Sequence, residues 1–131
     1  MIPIAAAVIT DEGGRLLLVR KAGTQAFMQP GGKIEAGEAP IAALVRELRE
    51  ELGLSLADGG ARFLGVFSAP AANEPGRTVE AALFQVRADG PAAPASEIAE
   101  MAWVDPRRCG RLDLAPLTRE HVLPLLMRDH R

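Results

Sequence analysis

The chain has no tyrosine, one tryptophan and four phenylalanines, so few rings are on hand to stack against a base. Trp103, Phe27, Phe63, Phe67 and Phe84 are expected mostly in the core. One cysteine, Cys109, excludes an internal disulfide and fits a reducing compartment, with the cytoplasm as the expected location. There are two histidines, His121 and His130, without metal-ligand spacing, and both are expected as surface or packing residues. No surplus of basic charge advertises nucleic-acid binding, since the formal net charge is −2. No apolar run approaches the length of a membrane span. The apolar start, residues 1–14, lacks a charged leading region and reads as a first strand, not a signal peptide.

What is present is a globular composition: 48% hydrophobic and 24% charged, which excludes a disordered chain. At 131 residues it is read as a single domain, 1–131, with a sizeable core. Residues 2–10 and 15–20 are β-like and flank the turn Asp11-Glu12-Gly13-Gly14, which predicts a hairpin. Residues 23–29 form a loop that rejoins a sheet near Phe27 and Met28. Further strands are expected at 62–68 and 78–86, separated by a loop at 69–76, and at 101–104. Residues 89–96, rich in Pro and Ala, read as a mobile loop. Residues 114–127 read as an amphipathic helix that Pro124 should kink or end. Strands on both sides of a first helix, with a second helix closing the chain, indicate an α/β or α+β fold.

That first helix carries the most information. Pro40 sits in its first turn and Gly53 ends it. Glu47, Glu50 and Glu51 stand at i, i+3 and i+4, on one face. Ile41, Leu44, Val45, Leu48 and Leu52 fall on a neighbouring face as a core stripe. Like charges at that spacing destabilise a helix by about a few tenths of a kcal/mol per pair. A divalent cation is the natural partner to offset this, because hard Mg²⁺ prefers carboxylate oxygens and water.

The run Gly32, Glu38, Arg46-Glu47-Leu48, Glu50-Glu51, Gly53-Leu54 resembles the Nudix box, G-x5-E-x7-R-E-U-x-E-E-x-G-U with U aliphatic. All nine specified positions are filled within 23 residues. The lead-in Gln29-Pro30-Gly31-Gly32 is similar to the family's aromatic-Pro-Gly-Gly, with Gln29 as a departure. The resemblance implies an α/β/α sandwich with a mixed β-sheet, and a metal-dependent hydrolase. It implies Mg²⁺ or Mn²⁺ held by Glu47, Glu50 and Glu51, with the Gly31 carbonyl as a further ligand. Arg46 would orient the carboxylates, and Glu38 would support the ligands from behind. Many members add a glutamate from a later loop, for which Glu97 is preferred over Glu100 and Glu80. Similar enzymes place a basic phosphate contact at the end of the second strand, so Arg20 is preferred over Lys21, and Lys33 is a second candidate.

A polyanionic nucleotide would be repelled by this acidic face unless cations intervene, which makes strict metal dependence the expectation. The leading substrate is a nucleoside diphosphate linked to another group, such as ADP-ribose or a nucleotide sugar. Pro70, sixteen residues after Leu54, resembles the proline of ADP-ribose-cleaving members. The alternatives are a (d)NTP pyrophosphatase that clears modified nucleotides and a non-catalytic nucleotide-binding module. An RNA-processing member is disfavoured by the net charge. A homodimer is common among similar proteins, and no membrane partner is expected.

Overall fold

The computed structural model describes residues 1–129, without the side chains of residues 57, 58, 88, 89 and 129. His130 lies outside the described residues. The elements run β1 (Ile2–Val8), β2 (Leu16–Lys21), β3 (Gly31–Lys33), α1 (Pro40–Leu52), β4 (Ser55–Pro70), β5 (Thr78–Asp89), β6 (Ile98–Val104), a π-helical turn (Thr118–Val122) and α2 (Leu123–Asp129).

A four-stranded sheet has the order β3-β1-β5-β4, and a two-stranded sheet pairs β2 with β6. The larger sheet is mixed: β1 runs parallel to β5 and antiparallel to β3, and β4 is antiparallel to β5. The hairpin expected of the first two strands is therefore not formed. The turn exists, with Thr10 bridging Leu16 and the Leu17 N–H bonded to the Ile9 carbonyl at 2.9 Å. Beyond it the strands part. β1 finds β3 and β5, and β2 finds β6.

Side chains alternate across a strand, and both sheets use both faces. Ala5, Ala7, Ile9, Leu17 and Val19 pack with Leu44, Leu48 and Leu52 of α1. Ala6, Val8, Leu16 and Leu18 pack with Leu117, Val122 and Leu126 on the opposite side. The result is a β layer between helices, with three alanines at the centre of β1 letting both helical layers come close.

α1 matches its expected span, but its buried face is displaced from the apolar stripe. Ala43, Leu44, Leu48, Glu51 and Leu52 are buried, whereas Ile41 is exposed. The helix is rolled so that a carboxylate, not Ile41, faces the sheet. Phe63 is also outside the core at 58% exposure, its ring set 5.4 Å from that of buried Phe84.

β4 is longer than expected and carries register shifts between Leu56 and Ala61 and between Phe63 and Gly65. Phe27 and Met28 do rejoin the β layer, bridging Leu114 and Val19. Pro124 neither ends nor interrupts the last helix. The turn before it is widened to a π-helix, which gives the proline ring room against the preceding carbonyls. Among the described residues no helix is long and apolar enough to cross a membrane.

Leu48 joins α1 to the sheet and is fully buried. Leu48→Ala should cost about 2–5 kcal/mol, read as a lower denaturant midpoint at unchanged slope.

Candidate active site

β3 begins with two glycines at positions where neither could carry a side chain. Gly31 has φ +146°, and a Cβ there would run into the carbonyl oxygen of Ala5. A Cβ on Gly32 would stand 2.5 Å from Cδ of Glu47. Space that a side chain would fill is thus taken by β1 backbone at Gly31 and by the Glu47 side chain of α1 at Gly32. The Gly31 N–H donates to Oε1 of Glu51 at 3.1 Å.

One guanidinium organises the approach. Arg46 donates from Nε to Oε2 of Glu38 (3.1 Å) and from Nη2 to Oε1 of Glu38 (2.9 Å). It also donates to Oε1 of Glu47 (2.7 Å) and to the Lys33 carbonyl (3.1 Å). The Glu35 N–H adds a third donor to Glu38, at 3.0 Å. Glu38 thus faces Arg46, and its carboxyl sits below the usual range because of that guanidinium and then the Glu35 N–H. The fork geometry makes this a site for arginine and not lysine.

Glu51 is 2% exposed. Burial pushes its carboxyl up to about 7; the Gly31 N–H and Lys21 oppose the shift, while Glu47 and Glu97 add to it. Burial also raises Glu47, partly countered by Arg46 and reinforced by Glu50. Glu50 itself is exposed. These four glutamates are therefore near neighbours electrostatically.

Glu97 reaches this group because the segment before it is strapped to α1. The Ala93 N–H bonds to the Leu52 carbonyl (3.1 Å) and the Ala95 N–H to the Glu51 carbonyl (2.9 Å), occupying carbonyls left open at the helix end. Ser96 then takes φ 56°, an uncommon left-handed backbone for a serine. The expected loop over 89–96 is thus partly strand, since β5 runs to Asp89, and otherwise tied to the helix.

The basic candidates have different partners. Arg20 donates to Oε1 of Glu100 (3.0 Å) and to the Thr24 carbonyl (2.8 Å). A bulge between Arg20 and Lys21 breaks the alternation of β2, and Lys21 opposes the upward shift of Glu51 and, after Arg46, that of Glu47. Lys33 pairs with Glu74 at 3.1 Å. Glu100 is held by Arg20, and Glu80 lies exposed on β5 opposite Pro3.

Beside the carboxylates, across Gly31 and Gly32, opens a cavity of about 150 Å³. Lys21 and Lys33 stand on its wall, together with Ile4, Val79, Leu117 and Pro70. Gln29 and Thr118 supply buried polar groups. The sequence marked Gln29 only as a departure from an aromatic, and nothing in the pattern marked Thr118.

The donor set is of the kind a hard divalent cation takes: carboxylates that feel one another's charge, one of them buried. Among the described residues, no three His, Cys, Asp or Glu side chains are already gathered around one coordination point. Arg46 and the Gly31 N–H hold two of the carboxylates in the arrangement seen.

A family model for the NUDIX domain matches residues 2–126, and the chain belongs to that family. It is 46% identical over 56 residues to an RNA pyrophosphohydrolase of Halorhodospira halophila, covering 43% of this chain and 31% of that protein. It is 45% identical over 58 residues to an 8-oxo-dGTP diphosphatase of Haemophilus influenzae, covering 41% of this chain and 43% of the relative. The chain thus spans less than half the length of these curated relatives. The crystal structure of the MutT protein from Methanosarcina mazei Go1 superimposes with a TM-score of 0.79 over 99% of this chain and 95% of that one, at 22% identity. That likeness shows the shared fold, the α/β sandwich with a mixed sheet.

The buried carboxyl makes stability depend on pH. Folded Glu51 releases its proton at about 7, and its ordinary value is 4.5. Between the two the folded state binds more protons than the unfolded chain, so raising pH costs stability. In EDTA, thermal stability should be highest below about pH 4.5 as far as this group is concerned, fall through neutrality and level off above about pH 8. Glu51→Gln should flatten that slope in a series of melting curves. An equal slope in both proteins would refute the assignment.

Proposed function

We propose that the chain is a divalent-metal-dependent pyrophosphohydrolase that cleaves a phosphoanhydride bond in a nucleotide bearing a 5′ polyphosphate. The carrying observation is the buried Glu51, flanked by Glu47 and Glu97 and bordered by Lys21, Lys33 and a largely apolar cavity. Glu47, Glu50, Glu51 and Glu97, with the Gly31 carbonyl, would hold Mg²⁺ or Mn²⁺. Bound there, the cation neutralises phosphate charge and acidifies a water.

The chain's own residues divide the remaining work. Arg46 keeps Glu47 oriented, and Glu38 keeps Arg46 oriented. Lys21 and Lys33 meet phosphate oxygens at the border of the cavity, and Lys33 exchanges its Glu74 partner for one of them. Arg20, engaged by Glu100, supports the strand end. The nucleoside end enters the cavity. At about 150 Å³ the cavity is smaller than the roughly 300 Å³ and more of a whole-ligand pocket. It takes a ring and leaves sugar and phosphates at the carboxylates. Water attacks one phosphorus, the new P–O bond forms, and the anhydride P–O bond breaks to release a phosphate fragment.

Curated relatives named for RNA and for an oxidised deoxynucleoside triphosphate favour a polyphosphate substrate over ADP-ribose or a nucleotide sugar. A binding module without catalysis is disfavoured by the presence of every box glutamate.

The test is phosphate or pyrophosphate release from ordinary and oxidised dNTPs, 5′-triphosphate RNA, ADP-ribose and nucleotide sugars, with Mg²⁺, Mn²⁺ or EDTA. Turnover of a polyphosphate, abolished by EDTA, is expected. Glu51→Gln should lower it on the order of a hundredfold or more, the scale of losing one preorganised charge-stabilising group. Undiminished turnover in that variant would sink the role of Glu51, and ADP-ribose as the preferred substrate would sink the polyphosphate reading.

A further inference from the structure

The cavity holds a polar pair that the chemistry at the carboxylates does not use. Gln29 is 6% exposed and Thr118 is fully buried, and both belong to the cavity wall. Gln29 donates from Nε2 to the Ala7 carbonyl at 2.9 Å and accepts at Oε1 from the Thr118 hydroxyl at 2.8 Å. A carbonyl can only accept, so Ala7 fixes which end of the carboxamide carries nitrogen. Ala7 lies on the central strand and Thr118 opens the π-helical turn. The amide is therefore clamped between the sheet and the last helix.

A carboxamide has two N–H donors and two acceptor lone pairs. The two clamps use one of each. One donor on Nε2 and one acceptor on Oε1 remain, on a group whose neighbours on the wall include Ile2, Ile4, Val79 and Leu117. In such surroundings a ring edge that mismatches the amide leaves polar groups unpaired, which is costly out of water. A matching edge pays no rotamer entropy at Gln29, because the side chain is already held.

We propose that Gln29 is the specificity-determining residue of this cavity. Read on the major-groove edge, its carboxamide selects adenine, which accepts at N7 and donates at N6, over guanine, which accepts at both N7 and O6. Thr118 is a positioning residue that acts through Gln29. The inference rests on the nucleoside end of the substrate entering this cavity, as proposed above.

Binding of AMP, GMP, CMP and UMP by calorimetry tests it without requiring hydrolysis. Wild type should show a spread of dissociation constants of roughly ten- to a hundredfold. Gln29→Met, close in volume and without the amide, should bring the four within about threefold of one another, the spread left when no edge is read. Thr118→Val, which removes only the hydroxyl that holds the amide oxygen, should narrow the spread as well, and it decides the matter if Gln29→Met does not fold. No selectivity in wild type, or unchanged ratios in the variants, would overturn the proposal. EDTA-sensitive triphosphate hydrolysis by the same preparations reports separately on the proposed function. Hydrolysis with unchanged base ratios removes only the role of Gln29. A spread that collapses in the variants without hydrolysis by wild type removes only the catalytic reading.

Discussion

Two adjacent glycines let one strand lie where no side chain fits, Gly31 against the backbone of β1 and Gly32 against Glu47 of α1, and the candidate site follows from that packing. Without a Cβ at Gly31, β3 closes on β1, and without one at Gly32 it admits the Glu47 side chain of α1. Glu51, on the same helix, loses water and accepts from the Gly31 N–H. Charge buried on those terms is costly unless a cation shares it. Arg46 satisfies the outer rim through Glu38 and Glu47, but it makes no hydrogen bond to Glu51. The inner part of the group is left electronegative, with Lys21 as its nearby opposing charge.

The acidic helix was the most legible part of the sequence. Its limits were readable from Pro40 and Gly53, because a ring without an N–H and a left-handed residue fit helix ends and little else. Its roll about its own axis was not readable. A periodic stripe gives the direction of greatest apolarity, and here that direction lies to one side of the face that packs. Ile41 sits outside and Glu51 inside as a consequence. Strand pairing was less legible than strand existence. The turn at residues 11–14 announced a hairpin, yet β1 and β2 separate after one bridge because each has a longer partner elsewhere in the chain.

The basic groups illustrate a different limit. Arg20 and Lys21 are adjacent, and strict alternation would aim one of them at the site without saying which. The bulge between them and the Glu100 carboxylate opposite Arg20 give the two different surroundings, and both depend on β6, eighty residues away. Gln29 was visible as an unusual residue in a familiar setting. Its meaning depends on Ala7 and Thr118, which approach it only in the folded chain.

Strand β1 places Ala5, Ala6 and Ala7 in the middle of the molecule, with one helical layer above and another below. A larger side chain at any of the three would wedge one layer away from the sheet, and with it either the glutamates or the wall that Thr118 belongs to. The centre of the molecule is therefore closed to gradual change. Freedom to vary lies with the turn beside the cavity, at exposed residues such as Ala72 and Asn73. A lineage built on this frame can reshape the cavity, one rim residue at a time, while the acidic helix stays where the alanines put it.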